Sequence, residues 1–101
     1  MTDHKFISCC CSNGFGSSMI VAMNVQKVLK QMGVTGIQVR HVPLAESGFY
    51  RNDLFIVGLD ISPQMRSFRQ VIVLHDLMSK AEIEQKLRQA FSFGDEAFWI
   101  E

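Results

Sequence analysis

The sequence predicts an α/β fold: a single domain built on an open four-stranded parallel sheet with helices on both faces, a three-layer sandwich. Three observations carry this. Short apolar runs of strand length alternate with segments whose apolar residues recur at helical spacing. That alternation argues for parallel strands joined by right-handed crossovers. The run Leu54-Phe55-Ile56-Val57 is apolar at every position, as expected of a strand covered on both faces. A chain of 101 residues fits one domain, and no repeat, linker or low-complexity segment divides it. Residues 1–101 are therefore expected to form one unit.

Lys5 to Cys10 reads as the first strand. A helix from Ser17 to Met32 follows. Val21, Val25, Val28, Leu29 and Met32 make its apolar face, and Asn24, Lys27, Lys30 and Gln31 its wet face. Gly33 stops it. From Gly36 to Val42, Ile37, Val39 and His41 alternate with Gln38 and Arg40, the pattern of a strand exposed on one side, and Pro43 ends it. Leu44 to Asn52 fits either a short helix or a structured loop. Asp53 to Leu59 is the third strand. Ser62-Pro63 offers an N-cap followed by proline at the first helical position, so a short helix is expected through Phe68. Gln70 to Leu74 is the fourth strand. Ser79-Lys80-Ala81-Glu82 has the spacing of a capping box. The helix it opens carries Ile83, Leu87, Ala90 and Phe91 on one face and ends near Gly94. The aromatic tail (Phe91, Phe93, Phe98, Trp99) is expected to dock on the chain's own core.

With 48% hydrophobic and 20% charged residues the chain can build a packed core. Ten basic and ten acidic residues cancel, which argues against nucleic-acid binding through a broad basic surface. No apolar run approaches the roughly 20 residues a spanning helix needs. Met1-Thr2-Asp3-His4-Lys5 leads into a short strand and lacks the long apolar region of a signal peptide. A cytoplasmic location is expected. The three cysteines are consecutive: Cys9, Cys10 and Cys11. Neighbours on an extended segment point to opposite faces and are poorly placed to pair. With no second cluster, neither a disulfide framework nor a four-ligand zinc site can be assembled. No metal and no cofactor is expected. Cys9 and Cys10 read as small buried strand residues. His4 and His41 have no evident partner.

The chemistry is concentrated in Cys11-Ser12-Asn13-Gly14-Phe15-Gly16-Ser17-Ser18, between the first strand and the first helix. Such a loop sets a thiol beside several backbone N–H groups at a helix N-terminus, an arrangement suited to an anion. The helix dipole and the amide donors favour the thiolate. Gly14 and Gly16 let the backbone approach closely, and Ser17 and Ser18 can cap the helix while touching phosphate. Cys11 is the candidate nucleophile, and Ser12, Asn13, Gly14, Phe15, Gly16, Ser17 and Ser18 are the candidate phosphate cradle. Phe15 and Met19 could meet a partner, and Met19 equally could pack under the loop. His75 and Asp76 follow the fourth strand at the edge where ligands bind in such sheets.

Cysteine, five residues, then Ser17 invites comparison with the low-molecular-weight protein tyrosine phosphatases, whose loop ends in arginine at that position. A planar bidentate cation stabilises the transferring phosphoryl group there, and serine cannot replace it. Asp60 and Asp76 follow strands three and four outside any Asp-Pro motif. The loop is suited to taking phosphate from a good donor and poorly suited to hydrolysing an unactivated ester. The segment Cys11 to Met19 resembles the IIB components of the bacterial phosphoenolpyruvate-dependent sugar phosphotransferase system, in particular the ascorbate and galactitol types. Their loop runs cysteine, x, asparagine or x, glycine, x, glycine or alanine, serine or threonine, serine. The resemblance implies a lactose/cellobiose-like IIB fold, related to the phosphotyrosine-phosphatase and Rossmann-like sandwiches. It implies a phosphocysteine at Cys11, cradled by Ser12 to Ser18. It also implies a IIA phosphohistidine protein as donor and a membrane IIC permease that presents an ascorbate-like or galactitol-like sugar. No nucleic acid is involved, and the chain is expected to be monomeric in isolation and held beside the inner membrane through IIC. A regulatory IIB-like phosphorylation module and a phosphatase or arsenate-reductase-like enzyme are the alternative readings.

Overall fold

The first strand, β1, spans Phe6–Cys10, and its alternation assigns its neighbours. Ile7 and Cys9 enter the core on one face of the sheet, and Cys10 enters the core on the other. Both cysteines are fully buried, on opposite faces as extended geometry requires. The computed structural model describes residues 5–10 and 15–101, with side chains from 18 onward in the second stretch.

Helix α1 spans Phe15–Gln31 and begins two residues before the sequence suggested. Its end is a Schellman motif: Gly33 takes a φ of 75°, its N–H donates to Lys30, and the Val34 N–H donates to Leu29. Val21, Val25, Val28 and Leu29 are buried as the spacing predicts, but Asn24, expected on the wet face, is buried too. The reason is tertiary. α1 packs against both the sheet and the last helix, so more than a single stripe is covered. No buried side-chain polar atom among the described residues lacks a hydrogen-bond partner.

β2 (Gln38–His41) is followed by a 3-10 helix over Leu44–Tyr50. β3 (Leu54–Gly58) leads to a second 3-10 helix over Ser62–Met65, shorter than the helix expected through Phe68. Ser62 does not cap it. Its hydroxyl donates to the Leu59 carbonyl instead. β4 (Gln70–Leu74) precedes α2 (Lys80–Ser92).

The sheet has five strands, not four. The added strand is β5, Phe98–Ile100, part of the aromatic tail. It pairs in parallel with β4, Gln70 opposite Phe98 and Val71 opposite Trp99. At three residues it is too short for alternation to be read. Even so, Phe98 and Ile100 join the core under the α-helices while Trp99 packs on the other face. Gln70 holds the turn before β5, its side-chain amide donating to the Gly94 and Glu96 carbonyls.

All strands are parallel, in the order β2-β1-β3-β4-β5. α1 and α2 share one core with Ile7, Cys9, Leu54, Ile56, Ile72 and Leu74. The opposite core holds Cys10, Phe55, Val57, Val71 and Val73 with Ile61 and Met65, where the two 3-10 segments take the place of α-helices.

On that second face Arg40 ties three elements together. Its guanidinium bonds Asp53 at 2.6 Å and lies 4.3 Å from the Phe6 ring centre and 4.2 Å from that of Tyr50. Ser8 Oγ donates to the same Asp53 oxygen and accepts from Arg40 Nε. Arg40→Ala is expected to lose about 2 kcal/mol, from the charged hydrogen bond and the stacking, as measured by urea denaturation with an unchanged slope. Arg40→Lys should recover little of it, since an ammonium cannot fill the planar slot between two rings.

Candidate functional site

In open parallel sheets ligands bind beyond the carboxyl ends of the strands, where the strand order reverses. With the order β2-β1-β3-β4-β5 that switch lies between β1 and β3. β1 ends at Cys10, which pairs with Val57 of β3, and α1 begins at Phe15. The four residues joining them are therefore the connection at the switch. Cys11, Ser12, Asn13 and Gly14 lie outside the described residues. Phe15, Gly16 and Ser17 form the first turn of α1, so Gly16 is helical and not part of a turn before the helix. The first N–H groups of an α-helix have no partner within it. This turn carries no acidic residue that would compete for them. Ser18 is buried. Met19 is half-exposed, at 46%.

The far side of this edge is set by β3 and β4. Gly58 closes β3, and a methyl group there would come within 2.8 Å of Asp60 Oδ1 and 3.4 Å of Leu77 Cδ2. The Asp60 carboxylate and the segment after β4 thus lie close against the end of β3.

That segment is held by a group whose role the sequence misassigned. In a capping box the Glu82 carboxylate would return to the Ser79 N–H. Ser79 does cap α2, its Oγ accepting from the Glu82 N–H at 3.1 Å. The Glu82 carboxylate instead reaches back to the segment that follows β4. Oε2 accepts from the His75 N–H at 2.7 Å and Oε1 from the Asp76 N–H at 2.8 Å. Lys86, one turn along, donates to Glu82 Oε2 and to the Val73 carbonyl, both at 2.7 Å. Asp76 Oδ1 then accepts the Met78 N–H. His75 and Asp76 themselves are exposed at the sheet's carboxyl edge, one strand beyond β3.

Burial works to raise the Glu82 pKa, but the His75 N–H, the Lys86 ammonium and the Asp76 N–H together outweigh it and hold the carboxyl below its ordinary value of 4.5. A carboxyl lowered by folding adds stability above its unfolded pKa and loses it as pH falls through the folded one. Stability is therefore expected to decline on acidification below about 4.5. In thermal melts taken down this range, Glu82→Gln should show a shallower decline than the parent.

Among the described residues no group of three or more His, Cys, Asp or Glu is placed to hold a metal ion. Nor is any described helix long and apolar enough to cross a membrane.

This is an open parallel α/β sheet whose strand order reverses between β1 and β3, with α1 beginning shortly after the end of β1. Residues 6–89 match the family model described as PTS system, Lactose/Cellobiose specific IIB subunit, and the chain belongs to that family. Among solved structures it is similar to the lactose-specific IIB component domain of the phosphoenolpyruvate:carbohydrate phosphotransferase system from Streptococcus pneumoniae. That likeness has a TM-score of 0.64 at 12% identity, over 88% of this chain and 99% of that one. At such identity it speaks for the fold. A comparison with curated proteins gives no match. The IIB resemblance carried by the loop is thus met by the family model, whose wording is lactose/cellobiose and not ascorbate or galactitol. The chain is a IIB component, a phosphocarrier of a sugar phosphotransferase system that works with IIA and IIC components.

Proposed function

We propose that Cys11 is the residue that carries the phosphoryl group, cradled by the backbone and side chains of Ser12 to Ser18. The observation that carries this is the place of Cys11 in the chain. It is the first residue after the buried end of β1 and comes four positions before the start of α1, in a chain whose strand order reverses between β1 and β3. The thiolate attacks the phosphorus of a IIA phosphohistidine; the P–N bond breaks and the imidazole keeps its electron pair. In the second half a sugar hydroxyl held by IIC attacks, the P–S bond breaks and the thiolate returns. The hydroxyl proton leaves to solvent or to a base on the acceptor side. Phosphohistidine and thiophosphate are both high-energy species, so the first transfer needs positioning and amide donors more than a strong cationic clamp. This agrees with Ser17 standing where the phosphatases have arginine.

The loop pattern favours an ascorbate-like or galactitol-like acceptor. The chain acts in the cytoplasm as a monomer of one domain, brought to the inner membrane by IIC. Incubated with phosphoenolpyruvate, the general phosphotransfer proteins and its IIA, it should take up a phosphoryl group and return it to IIA. It should not turn over p-nitrophenyl phosphate. Robust ester hydrolysis, lost with Cys11, would establish the phosphatase reading in its place.

A further inference from the structure

No Asp or Glu occurs between Lys5 and Ala45, where Lys5, Lys27, Lys30 and Arg40 are all basic. Every acidic residue but Asp3 follows Ala45, so a chain of zero net charge is uneven along its length. α1 and β2 come wholly from the basic stretch, and an open cavity of about 200 Å³ lies between them. Leu29 of α1 forms its apolar floor with Val34, Ile37 and Val39. Gln26 and Lys30 stand on its rim, and no acidic residue lines it. Lys27, exposed, neighbours Lys30 on the surface of α1. Val34, Ile37 and Val39 are only partly buried against the core, which leaves apolar surface to be covered.

β2 is also an edge of the sheet. The Gln38 N–H donates to the Lys5 carbonyl and the Val42 N–H to the Cys9 carbonyl, so the backbone of residues 38, 40 and 42 faces β1. In extended backbone the groups of Val39 and His41 then turn to the open side, a template for one more strand. The side chains alternate as well. Val39 packs toward the α-helices. Arg40 lies on the other face, against Phe6 and Tyr50.

These features select the occupant. A strand added along β2 covers the apolar floor with every second side chain. The side chains between pass along the face of Gln38 and Arg40. Carboxylates there and at the ends of the strand meet Arg40, Lys27 and Lys30, and no like charge lines the cavity. A second copy paired through the same edge would instead set Lys30 and Arg40 against their own counterparts, which disfavours self-association.

We propose that the groove between α1 and β2 is a docking site for an extended, acidic segment of a partner protein, added to the five-stranded sheet along β2. The groove lies at the end of α1, a helix of 17 residues and so about 25 Å from its start. A segment held there leaves the carboxyl edge of the sheet open, and the site suits a tether that keeps the chain beside a partner between transfers. The proposal does not depend on which cysteine carries the phosphoryl group.

The probe is a short fluorescein-labelled peptide of alternating glutamate and valine, titrated with the full chain at low salt and read by anisotropy. Its companions are the same peptide N-methylated at alternate residues, a peptide with lysine in place of glutamate, and the Lys27→Glu/Lys30→Glu variant. The glutamate peptide should bind the parent and be released by salt. Its dissociation constant should rise about tenfold in the double variant, and the lysine peptide should show the reverse preference. N-methylation should abolish binding, because it removes the N–H donors of the ladder. Backbone amide shifts on binding should centre on residues 29–41. The proposal is overturned if the parent fails to bind the glutamate peptide, or if the double variant binds it as tightly. Equal binding of the N-methylated peptide also overturns it, by reducing the contact to charge without strand addition, as do shifts centred outside residues 26–41. Dimers of the parent in sedimentation without peptide, lost in the double variant, would assign the groove to a second copy instead.

Discussion

Cys11→Ser is expected to lose phosphoryl transfer from IIA by several orders of magnitude while the protein melts within a degree or two of the parent. The two halves of this result have separate causes. A serine hydroxyl stays protonated at neutral pH, and neither the α1 dipole nor a ring of amides lowers its pKa enough to make it an alkoxide. A thiol in the same place becomes a thiolate readily. No general base is needed for a thiolate, so the site needs none, whereas serine would require one. The fold is expected to be indifferent because the cores at the end of β1 are supplied by Cys9 and Cys10, which are fully buried. Stopped-flow or quench transfer assays against phosphorylated IIA check the first half, and thermal unfolding checks the second. The same assay on Cys10→Ser should show the reverse balance. Cys10 lies among Phe55, Val57 and Val73, where a hydroxyl must find a partner, so stability falls and transfer by the folded fraction is kept.

The largest stability effect is expected at Phe55. Its ring is fully buried on β3, between the sheet and the 3-10 segments, and meets Phe68 edge to face at a centroid distance of 5.0 Å. Phe55→Ala removes the ring and leaves a cavity that rigid neighbours on β1 and β4 cannot close, a cost of about 3–5 kcal/mol. Domains of this size are held by roughly 5–15 kcal/mol. At about 4–8 °C per kcal/mol the melting temperature should fall by tens of degrees. Phe55→Leu, which keeps most of the volume, should cost well under half as much. The loss would fall on the face that positions the end of β3, so weaker transfer by the folded fraction is expected at elevated temperature first.

Much of this architecture was legible because several segments have a local signature strong enough to survive packing. Leu54 to Val57 and Val71 to Leu74 are apolar throughout and became central strands with almost the expected bounds. Gly33 stops α1 because only a positive φ closes that end, and glycine reaches it cheaply. The failures are tertiary. β5 spans three residues, and its strand nature comes from pairing with β4 rather than from a period. Asn24 is buried by a second helix that no helical wheel contains. Glu82 has the right spacing for a capping box, yet its carboxylate serves N–H groups seven and six residues back, which are brought to it by the return from β4. For the candidate site, the order of strands supplies what the sequence could not: the reversal of strand order between β1 and β3, with α1 beginning shortly after the end of β1.

The central claim is that one cysteine of the three carries the phosphoryl group. The direct measurement is peptide mapping by mass spectrometry after phosphorylation through IIA, at the mildly alkaline pH used for thiophosphate. The account predicts a single modified residue, Cys11, with Cys9 and Cys10 unmodified because both are enclosed by core side chains. Phosphate found on Cys9, on Cys10 or on His75 would contradict it.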